Sequence, residues 1–196
     1  CDALSAPLAF PVIYLDNNAT TRPLPEVTAA VERALTELWH NPSSVHRGGQ
    51  AARQAVELAR QSVARLLGVK PREIVFTAGA TESIDLALRG VLRAQPESKR
   101  VLITTAIEHE AVRDCAQDLA ADPTLNVTLL HAPLGPGGVV DAAMIERQLD
   151  EVGDRVGLVS VQWANNETGT IQPIEAIGRA CRERGVPLHC DGTQWV

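Results

Sequence analysis

Glu73–Leu88, EIVFTAGATESIDLAL, is the stretch around which the rest of the chain is organised. Ile74, Val75 and Phe76 form a short β-rich apolar run, the pattern of a buried strand. Thr77-Ala78-Gly79-Ala80-Thr81 is a turn of small residues, and from Glu82 the apolar positions Ile84, Leu86 and Leu88 suit a helix. A strand that feeds a helix through such a turn leaves the first-turn N–H groups without partners, at the positive end of the helix dipole. That is a ready phosphate site. The spacing is neither GxGxxG nor GxxxxGK(S/T), so the dinucleotide and P-loop readings both fail. An ordinary strand–turn–helix corner remains open on this stretch alone.

Outward from there, composition sets limits. A chain of 196 residues suits one domain or a large part of a bigger one. With 45% hydrophobic but only 3% aromatic residues, its core must be aliphatic. A formal net charge of −6 argues against direct nucleic-acid binding, which needs clustered positive charge. The only lysines are Lys70 and Lys99. Cys1, Cys115, Cys181 and Cys190 show no CxxC or zinc-finger spacing, so free thiols in a reducing compartment and no metal site are expected. No apolar run reaches the ~18 residues of a membrane span. Cys1–Ile13 lacks the basic flank of a signal peptide, and reads as a processing boundary.

In chain order, VIYLDNNATT at 12–21 is an apolar run ending in turn formers. A helix begins near Pro25 with Val27, Val31, Leu35 and Leu38 on one face. HNPSSVHRGG at 40–49 is a loop. A longer helix then runs to Leu67, with Val56, Ala59, Val63 and Leu66 as its core face and Gly68 as C-cap. After the opening stretch, strands are expected at 101–104, 127–130, 156–161 and 186–190. Helices are expected around Val112–Leu119, at 142–149 and at 173–184. This alternation implies a largely parallel α/β sheet with helices on both faces. Ligands of such sheets sit beyond the carboxyl ends of the strands. The polar candidates gather there: the 77–81 turn, His109, Asn165 and Asn166, and Asp191 with Gln194.

Those groups suit a flat, phosphorylated heteroaromatic ring. The helix start at Ala80 and Thr81 can hold a phosphate. A carboxylate such as Asp191 can pair with a protonated ring nitrogen, and an amide such as Gln194 with a phenolic oxygen. An imidazole such as His109 can stack on the ring or move protons near it. Pyridoxal phosphate fits that description. Each residue also has a plain structural reading: Asp191 as a cap, Gln194 as a surface amide, His109 as a first-turn histidine, Asn165 and Asn166 as a turn.

YLDNNATT, NPSSVHRGG, REIVFTAGATES, EHEAV, NNETG and HCDGTQ occur in that order over Tyr14–Gln194. Together they resemble the class V aminotransferase-like pyridoxal phosphate enzymes, and among them the cysteine desulfurases of the NifS/IscS type. The resemblance implies the PLP-dependent transferase fold type I. Residues 1–24 would belong to the small domain and active-site wall, and 25–196 to the first part of the cofactor-binding large domain. It implies that Ala80 and Thr81 bind phosphate, that His109 stacks on the ring and transfers protons, and that Asn166 lies near both the phenolic oxygen and the substrate carboxylate. Asp191 would partner the pyridinium, and Gln194 the phenolate. Asn17, Ala19 and Asn41 would line the substrate side. Cys190 and Gly192 depart from the family's usual aliphatic residue and alanine, a difference read as packing.

The resemblance also implies a Schiff-base lysine and a mobile catalytic cysteine in sequence that follows this stretch of the family pattern. Lys70 precedes the strand leading to the phosphate turn, about five residues at ~3.3 Å each away, and Lys99 sits in an inter-element loop. The expectation is therefore the N-terminal half of a desulfurase, inactive alone, completed by a C-terminal half as a separate or missing chain. The complete enzyme would be a homodimer that turns L-cysteine into L-alanine and an enzyme persulfide. It would pass the sulfur to iron–sulfur scaffold or other acceptor proteins, in the bacterial cytoplasm or, in a eukaryote, an organellar matrix. The rival readings are another class V lyase, such as a selenocysteine lyase, and a non-catalytic interaction module.

Overall fold

A computed structural model describes residues 13–195. All of the opening segment read above as a processing boundary, except Ile13, lies outside the described residues. The chain divides into two compact units, Cys1–Phe76 and Thr77–Val196.

The first unit carries two helices. α1 spans Pro25–Glu37 with Pro25 in its first turn, where a missing N–H costs nothing. Its apolar stripe forms as the spacing predicts, yet Val27, Val31 and Leu35 are all exposed and no residue of the helix is buried. α2 spans Arg47–Leu67 and stops at Gly68, whose φ of 67° is the left-handed conformation that glycine adopts without strain. The buried side of α2 differs from the expected one: Gly49, Ala52 and Ala64 are buried, whereas Val56 and Leu66 are exposed. The cause is a close approach. A Cβ at Gly49 would lie 2.5 Å from the Ser44 carbonyl oxygen, so the loop before α2 folds against a face of small residues.

The apolar run Ile74–Phe76 is extended but does not form a strand. Among the described residues no strand lies beside it, and a lone extended segment has no ladder to join. Arg60 occupies it instead: the guanidinium donates to the Ile74 carbonyl and sits 4.9 Å from the centre of the Phe76 ring. Val75 stays 66% exposed, which overturns the buried-strand expectation for this run.

The second unit matches the expected alternation closely. It runs α3 (Ala80–Ala94), β1 (Val101–Thr104), α4 (Glu110–Ala121), β2 (Thr128–His131), α5 (Ala142–Val152), β3 (Val156–Ser160), α6 (Ile174–Glu183) and β4 (Leu188–His189). The four strands are parallel in the order β2-β1-β3-β4. One face is packed by Ile84, Leu88 and Leu92 of α3 with Val112, Cys115 and Leu119 of α4. The other is packed by Ile145 and Leu149 of α5 with Ile177, Ala180 and Cys181 of α6. The strand residues divide between the two layers, Leu102 and Leu158 to the first, Ile103 and Val159 to the second. A register shift keeps that division: Val101 pairs with Val156 and Leu102 with Leu158, so Gly157 is the extra residue of a bulge. A Cβ there would lie 2.5 Å from the Lys99 carbonyl oxygen.

The strand order fixes where a ligand can enter. From β1 the chain crosses by α4 to β2 on one side, and from β3 by α6 to β4 on the other. The connections diverge between β1 and β3, and a crevice opens at their carboxyl ends. Lys99 precedes β1, at the opposite end of the strands.

Candidate active site

The loops beyond β1 and β3 line a cleft of about 350 Å³ whose walls include His109, Arg113, Asn166 and Glu167. His109 is the N-cap of α4: its Nδ1 accepts from the Ala111 N–H at 3.2 Å. In the neutral ring this places the proton on Nε2. His109 is thus not a first-turn histidine but the cap just before that turn, and capping fixes the ring beside the cleft.

Opposite, Asn165 is buried and its Oδ1 accepts from the backbone N–H groups of Glu167 (2.9 Å) and Thr168 (2.8 Å). It builds the turn, which frees its neighbour Asn166 to face the cleft, where Nδ2 donates to Glu167 Oε1 at 3.0 Å. Both asparagines line the cleft, and Asn165 also builds its wall.

Asp191 follows β4 and is held beside the end of β3, since its carbonyl accepts from Trp163 N–H at 2.8 Å. Its Oδ1 accepts from the Thr193 hydroxyl at 2.6 Å and the Thr193 N–H at 3.1 Å, an Asx turn that leads to Gln194. Ala80 and Thr81 open α3, which has no side-chain cap among the described residues, and a Cβ at Gly79 would meet no described atom within 4 Å beyond its chain neighbours. Glu82 instead reaches back to the Ala78 N–H at 2.6 Å. Of these candidates the cleft brings together His109, Asn165 and Asn166; Ala80, Thr81, Asp191 and Gln194 lie outside its lining.

Asn17, Ala19 and Asn41 belong to the first unit. Asn17 and Ala19 sit in an exposed turn in which Ala19 N–H donates to the Asp16 carbonyl at 3.3 Å. Asn41 Oδ1 accepts from Ser43 N–H at 2.8 Å, shaping the loop that precedes α2.

One residue beneath the cleft had no role in the sequence reading. Glu108 is only 3% exposed, and its carboxyl accepts from the Thr105 hydroxyl (2.6 Å) and the Gln162 N–H (2.9 Å). Burial pushes this carboxyl up from 4.5 to about 7, against the pull of both hydrogen bonds and with a smaller contribution from Asp191. The Cys190 thiol is pushed up to about 11 by burial, reinforced by Asp191 and Glu108. His189, whose Nδ1 is 2.9 Å from Ser160 Oγ, is lowered by burial and only partly restored by Asp191. The signal for Glu108 was its position, a carboxylate a few residues past a fully apolar strand.

The fold is a parallel α/β sheet with helices on both faces and a cleft at the carboxyl ends of β1 and β3. The Aminotransferase class-V profile matches residues 13–196, and the chain belongs to that family. It is 44% identical over 185 residues to a cysteine desulfurase of Trichormus azollae, covering 94% of this chain and 44% of that protein. It is 43% identical to the cysteine desulfurase NifS of Azotobacter vinelandii, again over 94% of this chain and 44% of the relative. Among solved structures, a NifS-like protein superposes with a TM-score of 0.84 at 38% identity, covering 91% of this chain and 48% of that one. DndA from Streptomyces lividans does so at 0.77 and 34%, covering 93% and 50%. The chain thus spans under half the length of the curated relatives it matches.

Class V aminotransferases are pyridoxal phosphate enzymes, and the donor set here fits that group. The open start of α3 offers N–H groups to a phosphate, and Asp191 offers a carboxylate to a ring nitrogen. No cluster of His, Cys, Asp and Glu among the described residues could hold a metal ion, and no described helix is long and apolar enough to cross a membrane.

Proposed function

We propose that this chain supplies the N-terminal part of a pyridoxal phosphate-dependent cysteine desulfurase. The observation that carries this is the identity of 44% to cysteine desulfurases over nearly the whole chain. A further relative in fold, SspA, was solved in complex with cysteine, at 32% identity and a TM-score of 0.82. The reaction joins L-cysteine and an enzyme thiol: the substrate C–S bond breaks, an S–S bond forms, and L-alanine leaves with a persulfide on the enzyme. Pyridoxal phosphate, when bound, supplies the electron sink that makes the substrate's Cα–H bond acidic.

In this reading Ala80 and Thr81 hold the phosphate by backbone N–H groups, and Asp191 keeps the ring nitrogen protonated. Gln194 and Asn166 hydrogen-bond the phenolic oxygen, Asn166 also meeting the substrate carboxylate. His109 lies against the ring and carries protons through Nε2. Asn17, Ala19 and Asn41 line the substrate side, residues 1–24 belong to the small domain, and 25–196 begin the large one. The Schiff-base lysine and the persulfide-bearing cysteine lie in the remainder of the enzyme. The complete enzyme works as a cytoplasmic homodimer and hands sulfur to iron–sulfur scaffold or thio-modification proteins.

The test is to give the full-length enzyme containing this chain pyridoxal phosphate and a thiol reductant, which frees sulfide from the enzyme persulfide, and assay it with L-cysteine and L-selenocysteine. Alanine and sulfide from cysteine, in a yellow protein bleached by borohydride, is the expected result. Activity confined to selenocysteine would make it a selenocysteine lyase, and no uptake of the cofactor would leave an interaction module.

A further inference from the structure

The sheet's hydrogen-bond ladder ends at the crevice before its central strand has run out of donors. Beyond β3, the N–H groups of Val161 and Trp163 point towards β4 and reach the carbonyls of His189 (3.1 Å) and Asp191 (2.8 Å). Gln162, between them, points its N–H the other way, towards β1, which has already ended at Thr104. The acceptor waiting there is Glu108 Oε2 at 2.9 Å, a side chain standing in for the missing strand carbonyl. The Gln162 side chain returns the bond: Nε2 donates to the Ile107 carbonyl at 2.6 Å, and Asn165 Nδ2 donates to the same oxygen at 2.9 Å. Glu108 and Gln162 are 3% and 2% exposed.

We propose that Glu108 is a positioning residue: by accepting from the Gln162 N–H, while the Gln162 side chain ties back to the Ile107 carbonyl, it fixes the separation of the loop presenting His109 from the loop presenting Asn166, and so the seat of the cofactor ring. The role rests on the cofactor reading above. Sequence neighbours make the coupling direct. Glu108 immediately precedes His109, and Asn165, tied to the Ile107 carbonyl, immediately precedes Asn166. Rocking either loop moves one wall of the cleft. The carboxyl is costly where it is, since burial raises it to about 7, but an apolar side chain would leave the buried Gln162 N–H without its acceptor.

The full-length protein containing this chain is compared with its Glu108→Gln and Glu108→Ala variants. Glutamine can keep both bonds, its carbonyl accepting from Gln162 N–H and its amide donating to the Thr105 hydroxyl; alanine removes the acceptor of the Gln162 N–H and leaves the Thr105 hydroxyl only its bond from the Ile107 N–H. Two readouts are taken: backbone hydrogen exchange without cofactor, and pyridoxal phosphate affinity together with the absorbance maximum of the bound cofactor. Alanine is expected to speed exchange in 105–109 and 161–168 with α5 and α6 unchanged, and to weaken cofactor binding by about tenfold or more. Glutamine is expected to restore both nearly to the parent. The proposal is overturned if the alanine variant exchanges and binds like the parent, or if glutamine is as damaging as alanine, which would make charge rather than the pairing responsible. If the alanine variant does not fold, Gln162→Leu, which removes the return bond, is judged by the same criteria. A parent protein that takes up no cofactor ends both the functional reading and the role, and the exchange measurement then still shows whether the two loops are tied.

Discussion

Replacing Glu108 by glutamine should change how stability depends on pH. Burial raises the folded-state value of this carboxyl from 4.5 to about 7. The folded protein therefore keeps the proton to higher pH than the unfolded chain. Its contribution to stability is fully present below pH 4.5 and is lost as pH rises through 7. A shift from 4.5 to about 7, at 1.36 kcal/mol per unit, amounts to roughly 3 kcal/mol lost by the parent between acid and mildly alkaline pH. The glutamine variant keeps the same shape and does not titrate there. Cys190 is pushed up to about 11, in part by Glu108 itself, and so lies above the range compared, while His189 is lowered by burial in both proteins; the difference between the two curves is therefore dominated by residue 108. Urea unfolding of both cofactor-free proteins, from about pH 5 to 8, is the assay. With m of about 1–3 kcal/mol/M, the gap between midpoints should change by roughly 1–3 M across that range. Parallel curves would refute the reasoning. A parent that gains on the variant as pH rises would show that the Thr105 and Gln162 hydrogen bonds outweigh the cost of burying the charge.

Other consequences follow from the same geometry. Ala80→Pro deletes one N–H at the first helical position of α3, where proline is tolerated after the extended Gly79, so thermal stability should hold while pyridoxal phosphate binds about tenfold more weakly and pyridoxal is unaffected. Burial pushes the thiols of Cys115, Cys181 and Cys190 up to about 11, so at neutral pH an aromatic disulfide reagent should modify these three slowly when the protein is folded and rapidly in guanidinium. Leu88→Ala, in the fully buried layer between α3 and the sheet, should cost about 2–5 kcal/mol in denaturant titration. Leu35→Ala on the exposed stripe of α1 should change stability by less than about 0.5 kcal/mol.

What could be read from sequence was whatever a segment settles by its own pattern. Val101–Thr104 and Val156–Ser160 are mostly apolar runs, and each became a fully buried strand within a residue or two of its expected limits. Gly68 declared a helix end by its own chemistry. Ile74–Phe76 carries an equally good strand pattern, but a strand exists only by pairing, and that depends on what lies beside it. The stripe of α1 is likewise a face without a buried surface beneath it. At the site, His109 and Asn166 could be singled out because they follow strands. Glu108 could not be given a role, because its partner Gln162 lies 54 residues away and meets it only through strand order.

That strand order also explains why a buried carboxyl belongs at this place. Where the connections of a parallel sheet diverge, the loops after two neighbouring strands leave in opposite directions, and the crevice they open is bounded by strand ends rather than by side chains alone. The central strand β3 continues to offer N–H groups past the point where β1 turns away. Such a donor cannot be left unpaired in a site closed to water without a penalty of about 1–3 kcal/mol. A backbone carbonyl could satisfy it only if β1 ran on and filled the crevice. A side chain that reaches in from the loop satisfies it and leaves the cleft open. Glutamate adds length enough to bridge to Gln162 while its second oxygen takes Thr105, so one residue closes the ladder and keeps the ligand space. The burial of Glu108 and the existence of the cleft are two results of one topological fact.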